Sequence, residues 1–270
     1  QTCAAEKRRR RKRGSFPDPA KRMFIAEEVC EGCGDCSVQS TCVSIVPKET
    51  AFGYKRAIDQ SSCNKDYSCA DGFCPSFITV SDAEPRKPQR RNLDDGLFAD
   101  LEDPPAPAGA YNIMVAGIGG TGVITVGALI GMAAHIDGRA VSIFDMTGLA
   151  QKNGAVYSHI RVADRPGDLH SQRLGRGEAD LLLAFDVVAA LTAETASTYA
   201  RGRTRAVANE AVSATQSFQF DRDAVPNRED LLGDLRARLG DEHVTSTDVT
   251  SLALGVVGDT IASNLMMVGM

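Results

Sequence analysis

The chain has 270 residues, 43% hydrophobic and 24% charged, an ordinary globular composition that suits about two domains rather than one shared core. No apolar stretch reaches the roughly 18 residues that span a membrane, and the longest, Val123 to Ile136, contains Gly127 and Gly131. The net charge of −5 is uneven: residues 1–22 carry +7, with Lys7-Arg8-Arg9-Arg10-Arg11-Lys12-Arg13 at their centre, so the rest is strongly acidic. A basic run without interleaved aromatics on an acidic body argues against nucleic acid and for a connector or docking strap.

In chain order, 1–22 is that basic connector, and Cys3 lies in it. Residues 23–84 hold the other seven cysteines among Pro, Gly, Asp and Ser, and predict a small loop-rich fold stabilised by metal more than by a core. No signal peptide precedes them, so reduced, metal-bound thiols in the cytoplasm are expected rather than disulfides. Residues 85–109, rich in Pro, read as a linker. From 110 to 270, strands at Asn112–Ala116, Ala140–Phe144, Ser158–Val162, Leu181–Asp186 and Arg205–Asn209 alternate with helices. The helices are Val123–His135, Val187–Tyr199, Asp230–Leu239 and a last one from Ser251. This predicts an α/β domain with a mostly parallel sheet. Gln1 at the start and an apolar run at Ser263–Met270 suggest a piece of a longer polypeptide, truncated at its C-terminus.

Cys30-x-x-Cys33-x-x-Cys36 is the triplet that wraps three corners of a [4Fe–4S] cubane, and the fourth ligand is expected from a distant cysteine followed by proline. Cys74-Pro75 supplies it. A structural zinc site prefers two cysteine pairs. Cys42, Cys63 and Cys69 form a possible second set one ligand short, for which the alternative is burial as small apolar residues.

Gly117-Ile118-Gly119-Gly120-Thr121-Gly122 follows a strand and opens a helix. Read as a dinucleotide fingerprint, it makes Gly117, Gly119, Gly120 and Gly122 candidate cofactor-binding residues, with Asp145 at the end of the next strand as a ribose ligand. The alternative is glycine for close packing.

The block Cys30–Val80, with Cys-Glu-Gly-Cys-Gly-Asp-Cys-Ser-Val-Gln-Ser and Asp59-Gln-Ser-Ser-Cys-Asn-Lys-Asp, resembles the ferredoxin-like segment of fused bacterial indolepyruvate ferredoxin oxidoreductases. From Tyr111 on, the glycine turn and Gly148-Leu-Ala-Gln-Lys-Asn-Gly-Ala-Val-Tyr-Ser-His-Ile-Arg-Val162 are similar to the gamma-type domain of 2-oxoacid ferredoxin oxidoreductases. The resemblance implies oxidative decarboxylation of an arylpyruvate on thiamine diphosphate with Mg, coenzyme A as acyl acceptor, and electrons passed through [4Fe–4S] to ferredoxin. It also implies a homo-oligomer and thiamine-binding domains outside these 270 residues, because no Gly-Asp-Gly stretch followed by Asn at thiamine-site spacing occurs here. Two other classes stand beside this one: an NAD- or FAD-linked iron–sulfur reductase, and a non-catalytic electron-transfer subunit.

Lys152 and Asn153 sit in a glycine-flanked loop after a strand end, a place for a coenzyme A phosphate or a thiamine-domain contact, or simply an Asn-Gly turn. His159 beside Arg161 either lines a site or is structural. Asp186 and Asn209-Glu210 stand at strand ends where ligands collect and where helices are capped.

Overall fold

A computed structural model describes residues 4–82, 109–148, 154–215, 217–221 and 223–270. Among these, 4–82 and the described part of 212–227 form one compact unit, and the others form a second. The expected linker and the loop with Lys152 and Asn153 lie almost wholly outside the described residues.

In the first unit, α1 (Ala4–Lys12) carries the basic arm. The arm is a strap on its own unit: Arg8 donates to the Ser62 carbonyl at 3.5 Å, Arg11 donates to that of Asn64, and Asp18 pairs with both Arg22 and Lys65. Next come β1 (Arg22–Ile25), α2 (Asp35–Ser40), β2 (Ile45–Thr50), β3 (Gly53–Ile58) and β4 (Phe77–Val80). β1 pairs antiparallel with β4, and β2 with β3, as separate two-stranded ladders. Such ladders are marginal in water without a core. The buried apolar side chains described in this unit are only Met23, Cys30, Ile45 and Phe218.

The second unit has a core of its own. β5 (Tyr111–Ile118), β6 (Ala140–Thr147), β7 (Ala155–Ala163), β8 (Leu181–Ala184), β9 (Arg205–Asn209) and β10 (Val244–Thr247) form one sheet in the order β10-β9-β8-β5-β7-β6. The pairs from β10 to β5 are parallel, and β7 runs antiparallel to both β5 and β6. This is the expected mostly parallel α/β sheet. Period-two alternation splits β5 between two clusters. Met114 and Ala116 pack with Leu182, Ala184 and the helix leucines Leu232 and Leu235, while Ile113 and Val115 pack with Ile160, Leu183 and Val126. Helix α3 (Val123–Ile136) lies close to the sheet because Gly127 and Gly131 carry no side chain there. A Cβ at Gly127 would stand 2.8 Å from Ser158 Oγ, and one at Gly131 would collide with Ile143.

Two expectations need correction. The helix expected over Val187–Tyr199 is two short helices, Val187–Ala190 and Ala193–Ala196. The Thr195 hydroxyl lies 3.0 Å from the Ala189 carbonyl and 2.7 Å from that of Ala190, and Thr192 Oγ1 also donates to Ala189. These hydroxyls take carbonyls that would have continued the helix. The final helix breaks at Gly258, in the left-handed region at φ 77°, and resumes at Ser263–Val268.

Candidate functional site: the cysteine module

The two ladders place the cysteines. Ile25, the last residue of β1, pairs with Phe77, the first of β4. Cys30 lies five residues beyond one end of that pair and Cys74 three residues before the other, so the ladder brings the remote Cys74 to the triplet. Ala26 N–H bonds the Ser76 carbonyl at 2.8 Å and fastens the two loops. The β2–β3 ladder repeats this: Ile45 pairs with Ile58, Cys42 lies three residues before the first and Cys63 five after the second.

Cys30, Cys33, Cys36 and Cys74 line one cavity of about 340 Å³, with Cys69 and Arg56 also on its wall. Gly32 N–H points at Cys30 Sγ at 3.4 Å, and Cys74 Sγ lies 3.1 Å from Ser76 Oγ. Gly32, at φ 72°, is required: a Cβ would lie 2.6 Å from the Tyr54 carbonyl oxygen. Arg56 on β3 is 1% exposed, and its guanidinium stacks 3.7 Å from the ring of Phe218, in the short helix Ser217–Phe220. Nη2 reaches the Phe218 carbonyl at 3.5 Å, while Nε and Nη1 have no hydrogen-bond partner. A buried cation with orphaned donors calls for an anion beside it. Burial raises the Cys36 thiol's pKa, Arg56 opposes that, and Cys30 and Cys33 add to it.

The other three cysteines form a second group. Burial, then the neighbouring Cys42 and Cys63, push the Cys69 thiol up to about 12. Thiols crowded in this way ionise together only with a cation among them. Lys65 N–H points at Cys63 Sγ at 3.3 Å, and Gln219 Nε2 donates to the Cys42 carbonyl at 3.4 Å. Among the described residues, no three His, Cys, Asp or Glu side chains converge on a position for a single metal ion.

In the second unit, the glycine turn joins β5 to α3. Gly120 and Gly122 lie at φ 87° and 93°, and Gly119 N–H bonds the Gly154 carbonyl at 2.7 Å. A Cβ on Gly117 would stand 2.7 Å from Val123 Cγ2 and 3.2 Å from Phe185 Cβ, so that glycine serves close packing. The Asn264 side chain donates to the Thr121 carbonyl at 3.0 Å. The dinucleotide reading loses its second anchor. β6 is not beside β5 but beyond the reversed β7, and it runs past Asp145 to Thr147, so Asp145 does not end a neighbouring parallel strand.

Asp186 caps the helix at Val187, accepting from Ala189 N at 2.8 Å. Asn209 Oδ1 accepts from Val249 N at 3.2 Å, and Glu210 accepts from Ser246. His159 is fully buried; its Nδ1 accepts from Leu174 N at 3.2 Å, and its Nε2 has no hydrogen-bond partner. Burial, aided by Arg173, holds its pKa below the usual histidine value. The unfolded chain therefore takes up a proton below about pH 6.5 that the native ring refuses. Stability should be full above that pH and fall below it, until the lowered native pKa is reached. Urea midpoints at pH 7.5 and 5.5 should differ less in His159→Phe than in the parent; an equal difference would show that His159 does not contribute.

Residues 112–270 match the family model of pyruvate ferredoxin/flavodoxin oxidoreductase. The chain belongs to this family. The indolepyruvate oxidoreductase subunit IorB of Methanothermobacter thermautotrophicus is 28% identical over 159 residues, 59% of this chain and 76% of that protein. IorB of Pyrococcus horikoshii is 36% identical over 81 residues, 30% of this chain and 39% of that protein. The pyruvate oxidoreductase subunit PORC of Thermotoga maritima superposes with a TM-score of 0.41 at 18% identity, over 60% of this chain and 74% of that one.

Proposed function

We propose that the cysteine module carries [4Fe–4S] clusters and relays electrons within an enzyme that oxidatively decarboxylates an arylpyruvate such as indolepyruvate, with coenzyme A as acyl acceptor and ferredoxin as electron acceptor. The observation that carries this is Arg56, a buried cation with orphaned donors beside a set of thiols on one cavity. Four thiolates around a cubane would set an anion beside the guanidinium. Cys30, Cys33, Cys36 and Cys74 would hold the cluster, which supplies one-electron storage. Arg56 balances its charge, the Gly32 amide steadies a ligand sulfur, and Phe218 covers the guanidinium from water. Thiamine diphosphate would act on domains outside these residues.

The test is anaerobic mixing of the whole enzyme with indolepyruvate and coenzyme A. Bleaching of the cluster absorbance with indolepyruvate, and weakly with pyruvate or 2-oxoglutarate, is expected. Bleaching by NADH alone would favour the nicotinamide-linked reductase and overturn this reading.

A further inference from the structure

We infer that Asp66 is an iron ligand: with Cys42, Cys63 and Cys69 it completes a second [4Fe–4S] site, taking in the second half of the module the place that Cys33 holds in the first. The inference rests on the reading above, that the module binds clusters. It arises from an internal repeat with an offset of 33 residues. Cys30 N–H bonds the Ala26 carbonyl at 2.9 Å, and Cys63 N–H bonds that of Asp59 at 3.0 Å. Gly32 N–H points at Cys30 Sγ at 3.4 Å, and Lys65 N–H at Cys63 Sγ at 3.3 Å. Ser37 N–H bonds the Gly34 carbonyl at 2.8 Å, and Ala70 N–H that of Tyr67 at 2.9 Å. α2 begins one residue before Cys36, and the single helical turn Ser68–Ala70 begins one residue before Cys69.

The backbone follows the same rule. Gly32 and Gly34 have φ of 72° and 90°, and their counterparts Lys65 and Tyr67 have φ of 54° and 66°. A lysine and a tyrosine held in the left-handed region are uncommon and strained, and persist where the surroundings demand that geometry. Here the demand is the loop that wraps a cluster corner. In that loop Cys33 is exposed, and so is Asp66. Cys63-x-x-Asp66-x-x-Cys69 is therefore the triplet Cys30-x-x-Cys33-x-x-Cys36 with a carboxylate at its centre. The remote ligand is Cys42, brought in by β2 as Cys74 is by β4. One Asp66 oxygen accepts from Ser68 N and Oγ at 3.4 and 3.2 Å, which orients the carboxylate. A carboxylate is a hard ligand that iron accepts, and one free thiol fewer in an exposed loop is one fewer target for oxidation.

The experiment is iron and sulfide analysis with EPR on the anaerobically purified whole enzyme, counting only iron attributable to this module by comparison with a variant in which Cys30, Cys33, Cys63 and Cys69 are all Ala. The parent should hold about eight irons in the module. Asp66→Ala should lose between about one and four of them, the smaller loss accompanied by the oxidised EPR signal of a three-iron cluster. Asp66→Cys should keep the full iron content with an altered EPR spectrum of the second cluster. About four irons in the parent, untouched by Asp66→Ala, would overturn the inference while leaving the relay reading intact. So would full iron in Asp66→Ala, or an Asp66→Cys spectrum identical to the parent's. No module iron in the parent, even after reconstitution, would overturn both.

Discussion

Arg56→Gln is expected to lower the midpoint potential of the cluster on Cys30, Cys33, Cys36 and Cys74 by on the order of 100 mV. A unit charge at about 6 Å and an effective dielectric constant of about 20 is worth about 3 kcal/mol, and about 60 mV corresponds to each 1.4 kcal/mol for one electron. The guanidinium favours the reduced, more negative cluster, so its removal makes reduction harder. Arg56→Lys keeps the charge but loses the planar stack on Phe218 and should shift the potential less. Anaerobic redox titration followed by EPR reads both variants. An intact cluster with unchanged potential in Arg56→Gln would show that Arg56 serves packing alone.

Cys33→Ala should remove the first cluster and with it the order of the module. The four buried apolar side chains described there are too few to hold two separate two-stranded ladders, so a bound cluster is expected to contribute much of the folding energy. Hydrogen exchange should accelerate across 23–82 while β5 and β8, buried between two apolar clusters, keep their protection. The iron content should fall by about four per chain. Air exposure should act in the same order. Full iron content in the variant would show that Cys33 is not a ligand.

The triplet was legible as a local spacing and Cys74 as a cysteine followed by proline, and the structure sets all four on one cavity. In the second half the same spacing is hidden because the residue at its centre is Asp66 rather than a cysteine. Arg56 gave no signal, since the ring that covers it is Phe218, 162 residues away. In the sheet, the strands at Tyr111–Ile118 and Ala140–Thr147 were visible as apolar runs, but alternation carries no strand direction, so the reversal of β7 between them was hidden. β10, Val244-Thr-Ser-Thr247, has too little apolar character to read as a strand. The split at Leu191-Thr192 depends on hydroxyls returning to carbonyls, which helix periodicity does not record.

The short helix that covers Arg56 belongs to the first unit in space but lies in sequence between β9 and the helix Arg228–Leu239 of the second. The cysteine module is thus a non-contiguous unit. A fragment cut after residue 82 would carry every cysteine of both sets yet leave the guanidinium of Arg56 open to solvent. Gene fission between the cysteine segment and the α/β segment would separate Arg56 from the ring that covers it.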